Sequence, residues 1–122
     1  MIIGLGTDII EIERIKRALY REKFKERVYS SRERRYCEGR GEQAAASFAA
    51  RFAGKEAFFK ALGTGIICAL NLVEILNDES GKPVIELNGR ALELIQERNV
   101  KNLHVTLSHS KNYATATCIL EN

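Results

Sequence analysis

The chain has 122 residues, which suffices for one domain with a modest hydrophobic core, so we expect residues 1–122 to form a single domain. Its composition, 45% hydrophobic and 29% charged, contains no membrane-length apolar run and no secretion signal at the N-terminus, which argues against membrane and secreted proteins. The three cysteines are far apart and form no metal-binding spacing, so we expect reduced thiols in a cytoplasmic protein.

The N-terminal stretch predicts a buried strand that leads into a helix. Apolar residues dominate from Met1, Asp8 stands at the predicted end of the strand, and the helix begins near Ile12. A carboxylate at such a place is either the cap of the following helix or a functional-site residue. The apolar residues that separate Asp8 from Ile12 weaken the cap interpretation, and both interpretations stay open.

The first predicted helix has a basic face. Ile12, Ile15 and Leu19 recur at helical spacing and predict its buried side. The opposite side carries Arg14, Arg17, Arg21 and Lys25. The net charge is only +3, yet 11 Lys or Arg against four Glu lie between Arg14 and Arg40. Such a face is either merely solvated or a docking surface for nucleic acid or an acidic protein. The interleaved aromatic residues that stack single-stranded bases are missing, which argues against nucleic acid.

The longest predicted element is a central helix from about Gln43 to Leu62. Its first half is rich in alanine, and Gly63 is a natural left-handed stop. Phe48, Phe52 and Phe59 fall on one stripe, which we expect to face the core.

Glu56 and Lys60 lie on another face of this helix, together with small residues that leave room for close approach: Ala45, Ala49 and Ala53. The two charges are either an exposed intrahelical ion pair, worth roughly 0.3–0.5 kcal/mol, or a cation ligand beside a lysine that neutralises phosphate. A second oxygen ligand elsewhere in the chain would favour the latter, and Asp8 is the candidate.

Further short elements complete the predicted fold. They are a helix over Arg32–Glu38 behind a Ser30-Ser31 cap and ended by Gly39, strands Leu72–Leu76 and Lys82–Leu87, a helix over Gly89–Arg98 with Leu92 and Ile95 inward, and strands Leu103–Ser108 and Tyr113–Leu120. His109 follows the first strand of the last pair, where a histidine more often packs than catalyses. We predict an α+β fold in which a small, mainly antiparallel sheet packs against the central helix.

Three segments in the right order carry a resemblance to a known family. Gly4–Ile12, Arg51–Lys60 and Ser108–Ala114 resemble signature segments of the bacterial holo-acyl-carrier-protein synthases, the short subtype of the 4′-phosphopantetheinyl transferase superfamily. The resemblance covers nearly the whole chain and implies the phosphopantetheinyl transferase-like fold.

The resemblance also implies a reaction. The 4′-phosphopantetheine group of coenzyme A is transferred to a serine of apo-acyl carrier protein, which leaves adenosine 3′,5′-bisphosphate. The catalytic residues implied are Asp8 and Glu56, as ligands of Mg²⁺, and Lys60, as the neutraliser of pyrophosphate charge. The residues implied to bind the coenzyme are Arg51, Lys60, Gly63, Thr64, Gly65 and His109. The general base stays open between Glu56 and a metal-bound water.

The implied partner of the basic face, Arg14, Arg17 and Arg21, is an acidic helix of the carrier protein. The family's short subtype forms a homotrimer with sites between subunits and serves fatty acid biosynthesis, with no nucleic acid or membrane involved. Where family members often have basic residues for the 3′-phosphate of the coenzyme, this chain has Glu42 and Gln43.

Two alternatives come from other classes of protein. Gly4-Leu5-Gly6 suggests a nucleotide-binding module, but the third glycine and an adequate βαβ unit are missing. The basic first third suggests a nucleic-acid- or acidic-protein-binding module without catalysis, whose binding would be salt-sensitive and independent of Mg²⁺.

Overall fold

Five strands and five α-helices follow one another in a computed structural model that describes residues 1–122. They are β1 (Ile2–Glu11), α1 (Ile12–Ala18), α2 (Glu22–Val28), α3 (Ser31–Glu38), α4 (Ala44–Leu62), β2 (Val73–Asn77), β3 (Pro83–Leu87), α5 (Gly89–Glu97), β4 (Asn102–His109) and β5 (Tyr113–Glu121). Two 3₁₀ turns, at Gly41–Gln43 and Leu70–Leu72, precede α4 and β2. None of the helices combines the length and apolar character needed to cross a membrane.

The strands form two antiparallel sheets, and α4 packs across the larger one. The larger sheet has the order β1–β5–β4, so that the last strand of the chain lies in its centre, and β2 and β3 form a separate hairpin. Ala116 of β5 lies opposite both Asp8 of β1 and Leu107 of β4. The α+β fold with a central helix on an antiparallel sheet is therefore confirmed.

Helix α4 is buried nearly all round. Phe48 and Phe59 are fully buried as predicted, and Phe52 packs half-buried against the same core. The small residues were expected to leave room on a free face, but Ala49 and Ala53 are completely buried. The space that these alanines leave is therefore filled by the rest of the protein.

Strand β1 approaches α4 unusually closely because it carries two glycines. A Cβ atom at Gly4 would lie 2.2 Å from the carbonyl oxygen of Ala61, and one at Gly6 would lie 2.1 Å from that of Ala57. No other residue fits at either position, since real Cβ contacts are longer. The glycines thus seat β1 on the helix and bring Asp8 to its side.

Two predictions about β1 are wrong. The strand does not end at Asp8 but continues to Glu11, because its pairing with β5 runs on to Tyr113. Nor is it buried on both faces, since Leu5 is 66% and Ile9 63% exposed. One face packs on α4, and the apolar side chains of the other face point away from the helix.

The helices differ from the prediction in two places. The first helix ends at Ala18, and a second begins at Glu22 after Arg21 adopts an extended backbone conformation. In α5 the buried residues are Ala91, Leu94 and Ile95, so the inward assignment of Leu92 is wrong. The Ser30 cap of α3 is confirmed, because its hydroxyl accepts from the Glu33 N–H at 3.2 Å.

Candidate active site

The site is built where β1 crosses the C-terminal half of α4. The Lys60 ammonium lies 3.1 Å from the Asp8 carboxylate oxygen Oδ1. Glu56 lies one helical turn before Lys60 on the same helix, and its side chain is half-buried. The intrahelical ion pair between Lys60 and Glu56 does not form. The Lys60 side chain instead extends to Asp8 on β1.

The charges at this place act on one another. Burial raises the pKa of the Glu56 carboxyl, and the nearby negative charge of Asp8 raises it further. Lys60 and Arg14 oppose this shift with their positive charges. Two carboxylates therefore stand close enough to repel each other, which is the arrangement that a bound cation relieves.

The donor set fits Mg²⁺. Asp8 and Glu56 offer carboxylate oxygens, and no cluster of three or more His, Cys, Asp or Glu side chains suited to a metal exists anywhere in the structure. Mg²⁺ is commonly held by one or two carboxylates while water and substrate phosphates fill its other positions. The two carboxylates beside Lys60 fit such a Mg²⁺ site. They do not fit a structural zinc site, in which four protein side chains bind the metal.

The glycine turn after α4 lies one helical turn beyond Lys60. Gly63 adopts a left-handed conformation with φ of 79°, and its N–H and that of Thr64 donate back to carbonyls of the last helical turn. Those two N–H groups are therefore already occupied. The N–H of Gly65 has no acceptor within the chain and remains available to a ligand.

Arg51 occupies a different place from the one predicted. It is only 3% exposed, donates to the Asn77 side chain and to the Ser47 carbonyl, and its guanidinium lies 4.5 Å from the centre of the Tyr36 ring. These contacts join α4 to α3 and β2. Within one chain the Arg51 guanidinium is inaccessible to a coenzyme, so these contacts do not support the predicted role of Arg51 in coenzyme binding.

His109 is exposed at the end of β4 and lies apart from the carboxylates. Asp8 is on β1, and β5 lies between the two strands, so two strand spacings of about 4.8 Å separate them in addition to an offset along the strands. The histidine faces a shallow depression with Ile9 and Tyr113. The structure thus does not bring His109 to the other predicted site residues.

The predicted partner-binding arginines share one groove of about 340 Å³ beside the site. Its walls and floor come from β1, α1, the α1–α2 turn, α2 and α4: Ile10, Arg14, Ile15, Arg17, Ala18, Arg21, Phe24 and Phe52. Arg14 is close enough to Glu56 for its positive charge to oppose part of the rise in the pKa of that carboxyl. The basic groove therefore opens next to the carboxylate pair.

The sequence analysis missed one pair of buried charges. Lys55 and Glu33 are both 0% exposed and pair at 2.6 Å between α4 and α3. A signal was present, because Lys55 falls in register with Phe48, Phe52 and Phe59 on the core-facing stripe. A lysine on such a stripe requires a buried partner.

Comparisons with known proteins agree over the whole chain. A family model described as the 4′-phosphopantetheinyl transferase superfamily matches residues 4–118. A holo-[acyl-carrier-protein] synthase of Aliivibrio fischeri is 47% identical over an alignment of 124 positions, gaps included, which covers 98% of this chain and 98% of that protein. Its counterpart from Treponema denticola is 42% identical over 122 residues and 99% of each chain.

Solved structures show the same likeness. The holo-[acyl-carrier-protein] synthase of Neisseria meningitidis matches with a TM-score of 0.91, 29% identity and 100% coverage of both chains. That of Bacillus anthracis, solved in complex with CoA (3′,5′-ADP), matches with a TM-score of 0.82 and 37% identity over 98% of this chain and 96% of that one. The chain belongs to the holo-acyl-carrier-protein synthases of the 4′-phosphopantetheinyl transferase superfamily.

Proposed function

We propose that this protein transfers the 4′-phosphopantetheine group from coenzyme A to a serine of apo-acyl carrier protein, with adenosine 3′,5′-bisphosphate as the other product. The observation that carries the proposal is the meeting of Asp8 with Glu56 and Lys60 where β1 crosses α4. The family membership and the coenzyme-bound relative support the same assignment.

Asp8 and Glu56 would hold Mg²⁺, which supplies neutralisation of the pyrophosphate oxygens. Lys60 adds a positive charge at the same pyrophosphate, since its side chain is 55% exposed and its ammonium is free to move from Asp8 to a phosphate oxygen. The serine oxygen forms a bond to phosphorus as the bond to the bisphosphate oxygen breaks. The serine proton would pass to a base, for which Glu56 is the candidate that this chain supplies.

The turn Gly63, Thr64 and Gly65 binds the coenzyme in this proposal. The free N–H of Gly65 is the group that suits a phosphate or pantetheine oxygen, and Lys60 offsets the negative end of the helix dipole nearby. Arg51 would have to leave its buried contact with Asn77 to bind the coenzyme through its guanidinium.

The basic groove of Arg14, Arg17 and Arg21 docks the acidic carrier. All three side chains are exposed, and the groove borders Glu56, so a carrier helix seated there would present its serine to the carboxylate pair. The apolar floor of the groove, with Ile15 and Phe24, suits a protein surface better than a phosphate backbone. A protein partner is therefore preferred to nucleic acid.

A homotrimer with sites between subunits accounts for two further observations. On the face of the large sheet that points away from α4, β1 carries three apolar side chains, Ile3, Leu5 and Ile9, that are between 43% and 66% exposed. Burial of such a face is favourable by about 25 cal/mol for each Å² of apolar surface. His109 lies away from Asp8 within one chain, so a second copy on this face would be needed to supply it to a coenzyme.

Three further assignments belong to the same proposal. Residues 1–122 act as one phosphopantetheinyl transferase domain, in keeping with a core cluster of 24 buried residues drawn from both ends of the chain. The three free cysteines suit the cytoplasm. The holo carrier that results serves fatty acid biosynthesis.

The test is direct. The protein is incubated with coenzyme A, Mg²⁺ and an apo-acyl carrier protein, and the carrier is weighed by mass spectrometry. We expect the carrier to gain one phosphopantetheine group, and the same mixture without coenzyme A is the control. A carrier whose mass stays unchanged, or tight salt-sensitive binding to DNA or RNA instead, would overturn the assignment.

A further inference from the structure

Helix α4 carries a lysine on the side that faces the core. The Lys55 ammonium donates to Glu33 Oε1 at 2.6 Å, to the Val73 carbonyl at 2.5 Å and to the Leu70 carbonyl at 3.1 Å. An ammonium has three donors, so each has an acceptor. Lys55 thereby joins α4 to α3 and to the chain that enters β2.

Glu33 is bound as completely as its partner. Besides Lys55, its carboxylate accepts from the Ser30 N–H at 3.0 Å and from the Ile75 N–H at 2.9 Å. Replacing a buried ion pair by apolar groups of similar volume is often neutral for stability. The pair is therefore better explained by the geometry that it imposes on these segments than by net stabilisation.

The segment that this pair fixes is the one that follows α4. Residues 63–72 begin at the glycine cap of α4 and lead into β2, and Lys55 binds the carbonyls of Leu70 and Val73 near their far end. Between them, residues 66–68 make no hydrogen bond to the rest of the protein, and Ile66 and Ile67 are 48% and 50% exposed. Cys68 packs against the core between the two ends, so the path of this segment depends on that contact and on how the ends are held.

We propose that Lys55 is a positioning residue for the turn Gly63–Gly65: by holding the far end of residues 63–72 on α4, it limits the paths open to the turn and to the free N–H of Gly65. This inference rests on the proposed function, which assigns that turn to coenzyme A. Lys55 itself touches no substrate. Its removal should loosen the segment without displacing Asp8 or Glu56, which stand on β1 and on α4 itself.

The test uses a double variant, Glu33→Gln with Lys55→Met, which removes both buried charges and leaves neither unpaired. Its matched control is Arg34→Met on α3, because Arg34 pairs with Glu22 at 4.0 Å and, unlike Arg90, is not among the charges that act on the pKa of Cys68. Both proteins lose ion pairs, but only the double variant loses a tie to residues 63–72.

The chain contains its own reporter of this segment. Cys68 lies within it and is partly exposed, whereas Cys37 and Cys118 are completely buried. We expect a thiol reagent to label Cys68 about tenfold faster in the substrate-free double variant than in the parent or in Arg34→Met. In the transfer assay the KM for coenzyme A should rise about tenfold while kcat changes less than about threefold.

If Cys68 of the double variant is labelled at the rate of the parent and the KM for coenzyme A is unchanged, the inference is overturned. If all three thiols of the double variant react, it has lost its core, and the milder pair Glu33→Gln with Lys55→Gln repeats the measurement. Reaction of all three thiols there as well would mean that Lys55 supports the whole fold, which also overturns the inference. Failure of the proposed function is distinguishable, because the parent itself would then leave the carrier's mass unchanged.

Discussion

The ammonium of Lys60 and the carboxylate of Asp8 meet at 3.1 Å although 52 positions separate them in the chain. Their contact joins the first strand to the central helix at the place where Glu56 also lies. A metal ion bound by Asp8 would compete with Lys60 for that carboxylate and release the lysine toward a phosphate. Metal binding at Asp8 would therefore make Lys60 available to a phosphate.

Loss of either carboxylate should abolish transfer. Asp8→Ala and Glu56→Gln each remove one of the two carboxylates proposed to hold Mg²⁺, and no cluster of three or more metal-binding side chains offers a replacement. We expect turnover to fall by at least about a hundredfold in either variant, with an unchanged far-UV circular dichroism spectrum. Excess EDTA should stop the parent protein in the same way, and full activity in EDTA would contradict the metal assignment.

Glu56→Gln should leave the metal-free protein at least as stable as the parent at neutral pH. The pKa of Glu56 is raised, so the folded state holds the proton more tightly than the unfolded chain does. Ionisation of Glu56 therefore costs stability as pH rises above the unfolded value of 4.5, and that cost is complete above the folded pKa. Thermal unfolding without metal should give a Tm equal to or above that of the parent at pH 7, with the difference vanishing below pH 4.5.

Added Mg²⁺ should reverse this order. The ion should raise the Tm of the parent and have no such effect on Glu56→Gln, because a ligand stabilises only the state that binds it. A Tm for the variant well below the parental value without metal would show that Glu56 supports the fold instead.

Lys60→Ala should lower turnover far more than stability. Its ion pair with Asp8 involves a lysine that is 55% exposed, and such pairs contribute about 0–1 kcal/mol. Arg90→Ala, which breaks the exposed pairs of α5, serves as the control and should lose similarly little stability at normal turnover. Normal turnover in Lys60→Ala would reduce the lysine to a surface ion-pair partner.

The double variant Arg14→Glu with Arg21→Glu should raise the KM for the carrier strongly and leave the KM for coenzyme A nearly unchanged. Parent activity at low carrier concentration should also fall as salt rises, because exposed charges act mainly on encounter. The control, Arg35→Glu with Lys101→Glu, makes the same change in charge at exposed positions outside the groove. Equal carrier KM values for the two double variants at low salt would exclude the groove from docking.

Gly6→Ala should separate β1 from α4. The new methyl group would lie 2.1 Å from the Ala57 carbonyl oxygen, which is backbone and has no means of moving aside. We expect a loss of about 3 kcal/mol or more in the free energy of unfolding, at the upper end of overpacking. Gly39→Ala is the control, because there the nearest atom is 3.4 Å away. Denaturant titrations in which the two variants match would refute the tight strand–helix contact.

The elements whose signals are local were predictable from sequence. Helix α4 begins within a residue of the predicted Gln43 and ends at Leu62, because alanine-rich sequence and Gly63 set its limits without help from the rest of the chain. The Ser30 cap followed from the same kind of signal. Asp8 was assigned through the family resemblance, since the local sequence weakened the cap interpretation but left it open.

What failed depended on partners distant in sequence. The apolar residues of β1 predict burial on both faces, but only one face has α4 to cover it, so Leu5 stays exposed. The end of α1 at Ala18 has no proline or glycine to mark it. The burial of Arg51 arises from Asn77 and Tyr36, which the fold alone brings together.

The central position of β5 affects how the protein is made. Both β1 and β4 take their sheet hydrogen bonds from β5, and every other element precedes β5 in the chain. The ribosome synthesises the chain from its N-terminus. More than a hundred residues must therefore follow β1 before its partner, β5, emerges. Helix α4 is complete long before then and has no sheet to pack against, so we expect its apolar surface to stay accessible to chaperones until β5 has emerged.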